Sequence, residues 1–316
     1  MPISPPGADV MPGAAHYHVP VLADAVLAAL ADATCVVDGT LGGGGHTALL
    51  LARGTSVIGV DRDPEARASA ARRLADAVAT GQLTIVASTF ADAVDQVGDR
   101  VIDGVLLDLG VSSHQLDETS RGFSFRPGAP LDARMSPDDT RSAADLLNTE
   151  SEDALLRIFA DYGDEPRARR LAREVVRRRE TRPFAISDDF VGAIRATLGA
   201  ASGASDFARL FQALRIAVND EIATLEAALP AWADRLAPGG VLAVISYHSG
   251  EDRVVKHAFR AWSTACTCPP RQPICTCGGV ARGQVITRRA IVADAAEAAT
   301  NPRARSARLR VWRKAR

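Results

Sequence analysis

Cys35-Val36-Val37-Asp38-Gly39-Thr40-Leu41-Gly42-Gly43-Gly44-Gly45-His46 is the stretch that decides the fold. Its first four residues read as a short buried strand, Gly39 to His46 as a glycine loop, and Thr47 to Ala52 as the helix that follows. That order sets backbone N–H groups and a helix N-terminus above the C-terminal edge of a sheet, where open α/β folds bind ligands. Working outward, residues 21–30 show helical apolar spacing. Ser56 to Asp61 form a second strand ending in an acid about twenty residues further on, the placement from which a carboxylate accepts both hydroxyls of a ribose. A helix over Pro64 to Ala79, strands at Leu83 to Ala87 and Gly104 to Leu109, and a fifth strand at Val241 to Ser246 continue the alternation. The expected fold class is α/β, a doubly wound Rossmann-like sheet.

This half of the chain leaves alternatives open. A glycine-rich turn after a strand can be no more than a tight connection. Gly43-x-Gly45-x-x-Ala48 also fits a loose dinucleotide fingerprint, which keeps an NAD(P)-dependent oxidoreductase in play. Asp108 ends an otherwise apolar strand, at the crevice where ligands sit, and is read as a ligand contact rather than a helix cap. The segment Arg121 to Arg126, followed by Pro130 to Met135, mixes aromatics and arginines in a way that suits nucleotide contact or, equally, a loop packing two phenylalanines beneath itself.

Composition bounds the rest. With 316 residues, 47% of them hydrophobic, the chain can bury one large core carrying a smaller inserted domain. The net charge of -1 does not advertise a polyanion binder, but arginines bunch at Arg167 to Arg182 and Arg303 to Arg316. Met1 to His16 has neither a basic n-region nor an apolar h-region and reads as a disordered leader, not a secretory signal. No apolar run approaches a membrane span, and five cysteines, an odd number, do not suggest a secreted disulfide framework, so the cytoplasm is the expected compartment.

Six motifs together resemble the RsmH (MraW) family, which methylates 16S ribosomal RNA: His18 to Leu22, Asp38 to His46, Asp61 to Asp63, Asp108 to Ser113, Arg121 to Phe125 and Phe211 to Glu221. The loop holding His248, Glu251 and Asp252, and the run from Asn301 to Arg310, extend the likeness over nearly all of the chain past the leader. The resemblance implies methyl transfer from S-adenosylmethionine to the exocyclic N4 of a cytidine in the decoding centre of 16S rRNA, within the small ribosomal subunit. It also implies the cofactor contacts Gly44, Gly45, His46, Asp61, Phe90, Asp108 and Gln115. A catalytically weak RNA-binding assembly factor of the same fold is the competing function.

The catalytic group is left unassigned, with Asp108 and His248 as candidates. Many amino-group methyltransferases carry an Asp/Asn-Pro-Pro-aromatic motif after the fourth strand, and here Asp108-Leu109-Gly110-Val111 stands instead. Tyr247, Gly250 and Ala133 depart from the family's usual Phe, Leu and Met, and Gly250 is expected to loosen its loop. The domain plan is a leader at 1–16, a methyltransferase domain from 17–115 and 211–316, and an inserted helical domain at 116–210. Helices are expected there at 152–160, 166–179, 187–198 and 206–214, the second rich in arginines that suit RNA: Arg167, Arg169, Arg170, Arg173, Arg177, Arg178 and Arg179. No metal is expected. Cys266, Cys268, Cys275 and Cys277 have some metal-ligand character, but zinc sites favour Cys-x-x-Cys, and reduced loop thiols are the simpler expectation.

Overall fold

The computed structural model describes residues 20–111, 118–266, 268, 272, 274 and 276–316. The expected leader, Gln115 and Cys275 lie outside them. After helix α1 (Ala23–Ala29) the chain alternates β1 (Cys35–Asp38), α2 (Gly45–Leu51), β2 (Ser56–Asp61), α3 (Pro64–Arg73), α4 (Ala75–Ala79), β3 (Leu83–Ala87) and β4 (Gly104–Asp108). The single helix expected over 64–79 breaks at Leu74, whose φ of -113° and ψ of 33° leave the helical region. Asp63 caps α3 by accepting the Glu65 N–H at 3.0 Å, with Pro64 opening the helix.

Five strands run parallel in the order β3-β2-β1-β4-β5, with β5 at Val241–Ser246. Side chains alternate across this sheet. Val36, Val57, Leu106 and Ala243 pack under α1 and α2, while Val37, Ile58, Leu107 and Val244 face the opposite layer with Trp232 and Phe259. Both faces are therefore covered, which is why the strands read as unbroken apolar runs. The order reverses between β1 and β4, so their C-terminal ends flank a crevice.

Between β4 and β5 lie α5 (Ala143–Thr149), α6 (Glu152–Arg157) with a π-turn at 158–162, α7 (Ala168–Arg179), α8 (Ser187–Leu198), α9 (Ala204–Asn219) and α10 (Glu221–Arg235). The first five helices share a core of their own, with Phe159, Phe190 and Phe211 in mutual ring contact around Leu171 and Leu210. The boundary expected at 210/211 falls inside α9, which runs unbroken and carries Phe211, Ala213 and Leu214 into this helical core.

The chain ends in α11 (Ser249–Trp262), β6 (Gly283–Val285), α12 (Ala295–Thr300) and β7 (Arg308–Lys314). β7 inserts antiparallel between β5 and β6. Its arginines suggest a basic cluster when read along the chain, yet Leu309, Val311 and Trp312 are buried core residues. Asp252 on α11 takes a forked contact from Arg310 at 2.6 and 3.0 Å, locking helix to strand. Among the described residues no helix is long and apolar enough to cross a membrane.

Candidate functional site

The loop after β1 turns where side chains would collide with the packing around it. A Cβ on Gly39 would lie 2.5 Å from Leu107 Cδ2 and 3.1 Å from Phe90 Cβ, so only glycine fits where β1 leaves the sheet. Gly44 takes φ 75°, the left-handed turn that starts α2, and packs against Leu74. Polar side chains fix this shape. Asp38 accepts the Thr47 hydroxyl at 2.7 Å, and Thr40 Oγ1 accepts the Asp108 N–H at 2.7 Å, joining the β1 loop to the end of β4. Burial pushes the Asp38 carboxyl up, so it suits an internal brace better than a charged ligand contact.

Above the loop lies a cavity of about 1200 Å³, whose wall includes Gly39 to Gly43, Gly45, His46, Asp61, Phe90 and Asp108. Five of the seven expected cofactor contacts are thus brought to one wall. Gly44 shapes the turn without lining the cavity, and Gln115 lies outside the described residues. The volume exceeds what one drug-sized ligand fills, leaving space for a second group.

Asp61 closes β2 with both carboxylate oxygens engaged by backbone donors, Oδ2 by Gly42 N–H at 2.8 Å and Oδ1 by Asp63 N–H at 2.9 Å. Those bonds aim the carboxylate. Burial nonetheless outweighs them and pushes the group up to about 6, with Asp63 and Asp38 adding repulsion. A second pair of donors, such as the two hydroxyls of a ribose, would offset that cost.

Asp108 lines the same cavity. Its Oδ1 accepts the Tyr247 hydroxyl at 2.7 Å, and its Oδ2 lies 3.7 Å from His46 Nδ1. His46 Nε2 donates to the Val21 carbonyl at 2.9 Å, which places the imidazole's other nitrogen towards Asp108. Burial pushes the Asp108 carboxyl up, only partly countered by His46 and the Tyr247 hydroxyl. The Tyr247 hydroxyl is itself held far above its usual range by burial and the Asp108 charge, so it remains a donor.

His248 does not line the cavity. It stands at the N-cap of α11, where Glu251 Oε1 lies 3.1 Å from Nε2 and the Tyr247 N–H donates to Glu251 Oε2 at 2.8 Å. Gly250 belongs to the first turn of that helix, not to a loosened loop, and its missing side chain makes room for the His248 ring, 3.1 Å from where a Cβ would stand. Burial disfavours charge on Glu251, yet His248, Arg215 and the Tyr247 N–H together hold its carboxyl below the usual range.

Five further wall residues fall in stretches that carry the family resemblance but have no role assigned from the sequence: Arg215, Glu221, Tyr247, Glu251 and Arg303. Arg215 grips Glu221 through two bonds at 2.7 and 2.8 Å. Asn219, also on the wall, accepts the Met135 N–H and donates to Ala133 O and Arg215 O, each at 2.8 Å. It thereby ties the 133–135 strap to α9. Helical spacing shows that α9 is amphipathic, but not that its last turn meets the sheet edge.

The structure bears on two segments read for nucleotide contact, the first of which the sequence leaves open to packing as well. Phe123 and Phe125 pack against the helical core, Phe125 edge-on to Phe207 at 5.9 Å and Phe211 at 6.1 Å, so they are structural and not base platforms. Arg121 pairs with Asp63 at 3.0 Å and donates to the Met135 carbonyl at 3.0 Å, latching the segment over α3. On α7, Arg177 and Arg178 both clasp Glu174, which the Arg177 hydrogen bond pulls down to about 2 despite some burial. Arg173 pairs with Glu152, Arg167 caps the Leu198 carbonyl, and Arg179 donates to Leu147 O and Glu150 O. Arg169 and Arg170 are exposed and make no such contact among the described residues. Away from the cavity, Cys266, Cys268 and Cys277 gather within reach of one another.

Comparison with known proteins places the chain in a family. A family model described as the MraW methylase family matches residues 15–315. A Gemmatimonas aurantiaca protein named ribosomal RNA small subunit methyltransferase H is 60% identical over 302 residues, covering 95% of this chain and 96% of that one. A Heliobacterium mobile protein of the same name is 47% identical over 310 residues, covering 94% and 99%. Likeness to solved structures is looser, as for a putative methyltransferase from Streptococcus mutans in complex with SAH, 11% identical with a TM-score of 0.42, covering 92% of this chain and 96% of that one. With the match running almost end to end, the chain belongs to the MraW methylase family.

Proposed function

We propose that the chain transfers a methyl group from S-adenosylmethionine to the exocyclic N4 of a cytidine in 16S rRNA, at the decoding centre of the small ribosomal subunit. The observation that carries the reading is one cavity walled by the glycine loop, Asp61 and Asp108 in a chain of the MraW methylase family. The names of its relatives support the substrate class.

The residues present fit the cofactor. Gly39 lets the loop turn tightly against Leu107 and Phe90 beneath the cavity, and Asp61 presents a carboxylate braced by two N–H groups for a ribose diol. Phe90 on the same wall suits an adenine ring. When bound, S-adenosylmethionine supplies an electrophilic methyl group.

Cytosine N4 is a weak nucleophile because its lone pair is delocalised into the ring, so positioning should supply most of the rate. Asp108 is the acceptor for that amine. Its Oδ1 is held by Tyr247, which leaves Oδ2 to accept an N–H, orient the nitrogen, and take the proton shed as the amine is methylated. A carboxyl raised by burial is better matched to that proton than one in water. His248 positions Glu251 and the start of α11 and touches no reacting atom.

The test is transfer of radiolabel from S-adenosylmethionine to small ribosomal subunits from a strain lacking this gene, with the product nucleoside identified by mass spectrometry. N4-methylcytidine is the expected product. Label on another nucleoside would overturn the proposed target, and cofactor binding with no transfer would point to an assembly factor.

A further inference from the structure

Between the end of α11 and β6, the described residues of the 263–282 segment form no helix or strand. Ile274 and Val280 are 75% and 85% exposed, so neither of these apolar side chains anchors the excursion. Its two ends are tied, Arg282 N–H to Trp262 O at 2.8 Å, with the Arg282 guanidinium over the Trp262 ring. Long excursions lacking a core usually need a staple.

Such a staple is present in outline. Cys266, Cys268 and Cys277 bring their sulfurs within 4.8 Å of one another. Cys266 Sγ and Cys277 Sγ are 3.8 Å apart, far beyond the ~2.05 Å of a disulfide. They match the edge of a tetrahedron whose metal–sulfur bonds are about 2.3 Å, which works out at about 3.8 Å. Gly279 allows the close approach, since a Cβ there would collide with the Ala265 carbonyl.

We propose that Cys266, Cys268 and Cys277 ligate a structural zinc ion that staples the excursion between α11 and β6. Three thiolates form a soft donor set that favours zinc over magnesium or calcium. A fourth donor, from solvent or from the chain, completes the tetrahedron. The Cys-x-Cys spacing by itself argues against zinc because it departs from the common knuckle. Folding supplies the third sulfur from across the excursion, which spacing along the chain does not show. The site is separate from the cavity and takes no part in methyl transfer.

The full chain, expressed with supplementary zinc and purified reduced without chelator, should carry about one equivalent of zinc by elemental analysis. Replacing that zinc with cobalt should give the sulfur-to-cobalt charge-transfer and d–d bands of a tetrahedral thiolate site. Cys266→Ser and Cys277→Ser should each lower zinc content about tenfold or more, while Cys35→Ser, altered in β1, retains it. The proposal is overturned if the reduced wild-type chain is metal-free and gives no cobalt bands. Full zinc in the Cys266→Ser/Cys277→Ser double variant, or a Cys266–Cys277 disulfide in freshly isolated protein, overturns it equally. The cobalt bands are read on the wild-type chain, so the test stands even if a variant folds poorly.

Discussion

Asp61 should make cofactor binding depend steeply on pH. Its carboxyl is raised from 3.8 to about 6, with burial as the leading cause. The difference is worth about 3 kcal/mol against the charged form, at roughly 1.4 kcal/mol per unit. For an acid raised in the fold, the associated stability is present below its unfolded value, near pH 4, and is lost as pH climbs through about 6. Binding should run the opposite way, because a diol donates two hydrogen bonds and needs the ionised group. At about pH 5 only about one molecule in eleven carries ionised Asp61, whereas nearly all do at about pH 7.5, so affinity for S-adenosylmethionine should be about tenfold weaker at the lower pH. Calorimetric titration across that window, on the native chain and on Asp61→Ala, measures it. Asp61→Ala should bind weakly and lose the slope. An unchanged affinity from about pH 7.5 to about pH 5, or the same slope in Asp61→Ala, refutes the assignment.

Tyr247→Phe removes the hydroxyl that restrains the Asp108 carboxyl, so the acidic limb of the pH–rate profile should move up by about one unit, the worth of a hydrogen bond of about 1.5 kcal/mol. An unmoved limb in single-turnover assays would take Asp108 out of the proton path. Asn219→Ala removes the bonds to the half-buried Met135 N–H and the buried Ala133 carbonyl, and urea unfolding should show a destabilisation of about 2 kcal/mol; a value below about 0.5 would mean the strap is not held there. Reversing Arg169 and Arg170 to Glu should weaken rRNA binding and flatten the salt dependence by about 0.7 for each phosphate that is no longer neutralised, with thermal stability unchanged. An unaltered slope would leave α7 a solvated face.

Choosing Arg169 and Arg170 over the arginines at the end of α7 narrows what the sequence suggests, and the reason is physical. A run of arginines advertises charge but not its partners. Glu174 sits one helical turn before both Arg177 and Arg178, at the spacing that lets it neutralise them, whereas Arg169 and Arg170 pair with no acid among the described residues. The parallel strands and the β1 loop are legible because burial on both faces and a turn without Cβ atoms leave local marks. β7 is not, because its arginines outweigh an alternation, Leu309, Val311 and then Trp312, that only pairing with β5 explains.

The site divides along the same line. Asp61 and Asp108 end strands, so their position follows from local pattern and the topology of an open sheet. What tunes them does not. Tyr247 lies far from Asp108 along the chain, and its hydroxyl reaches that carboxylate only because β5 lies beside β4 in register, Asp108 opposite Ile245. A phenylalanine there would fill much the same space without the bond. Read along the chain, the tyrosine is a departure from the family's usual residue; in the folded sheet it is the donor that keeps Asp108 from being still harder to ionise. The three cysteines obey the same rule, since Cys277 and Cys266 lie apart along the chain and meet in a fold whose ends are also joined by the Arg282 N–H on the Trp262 carbonyl.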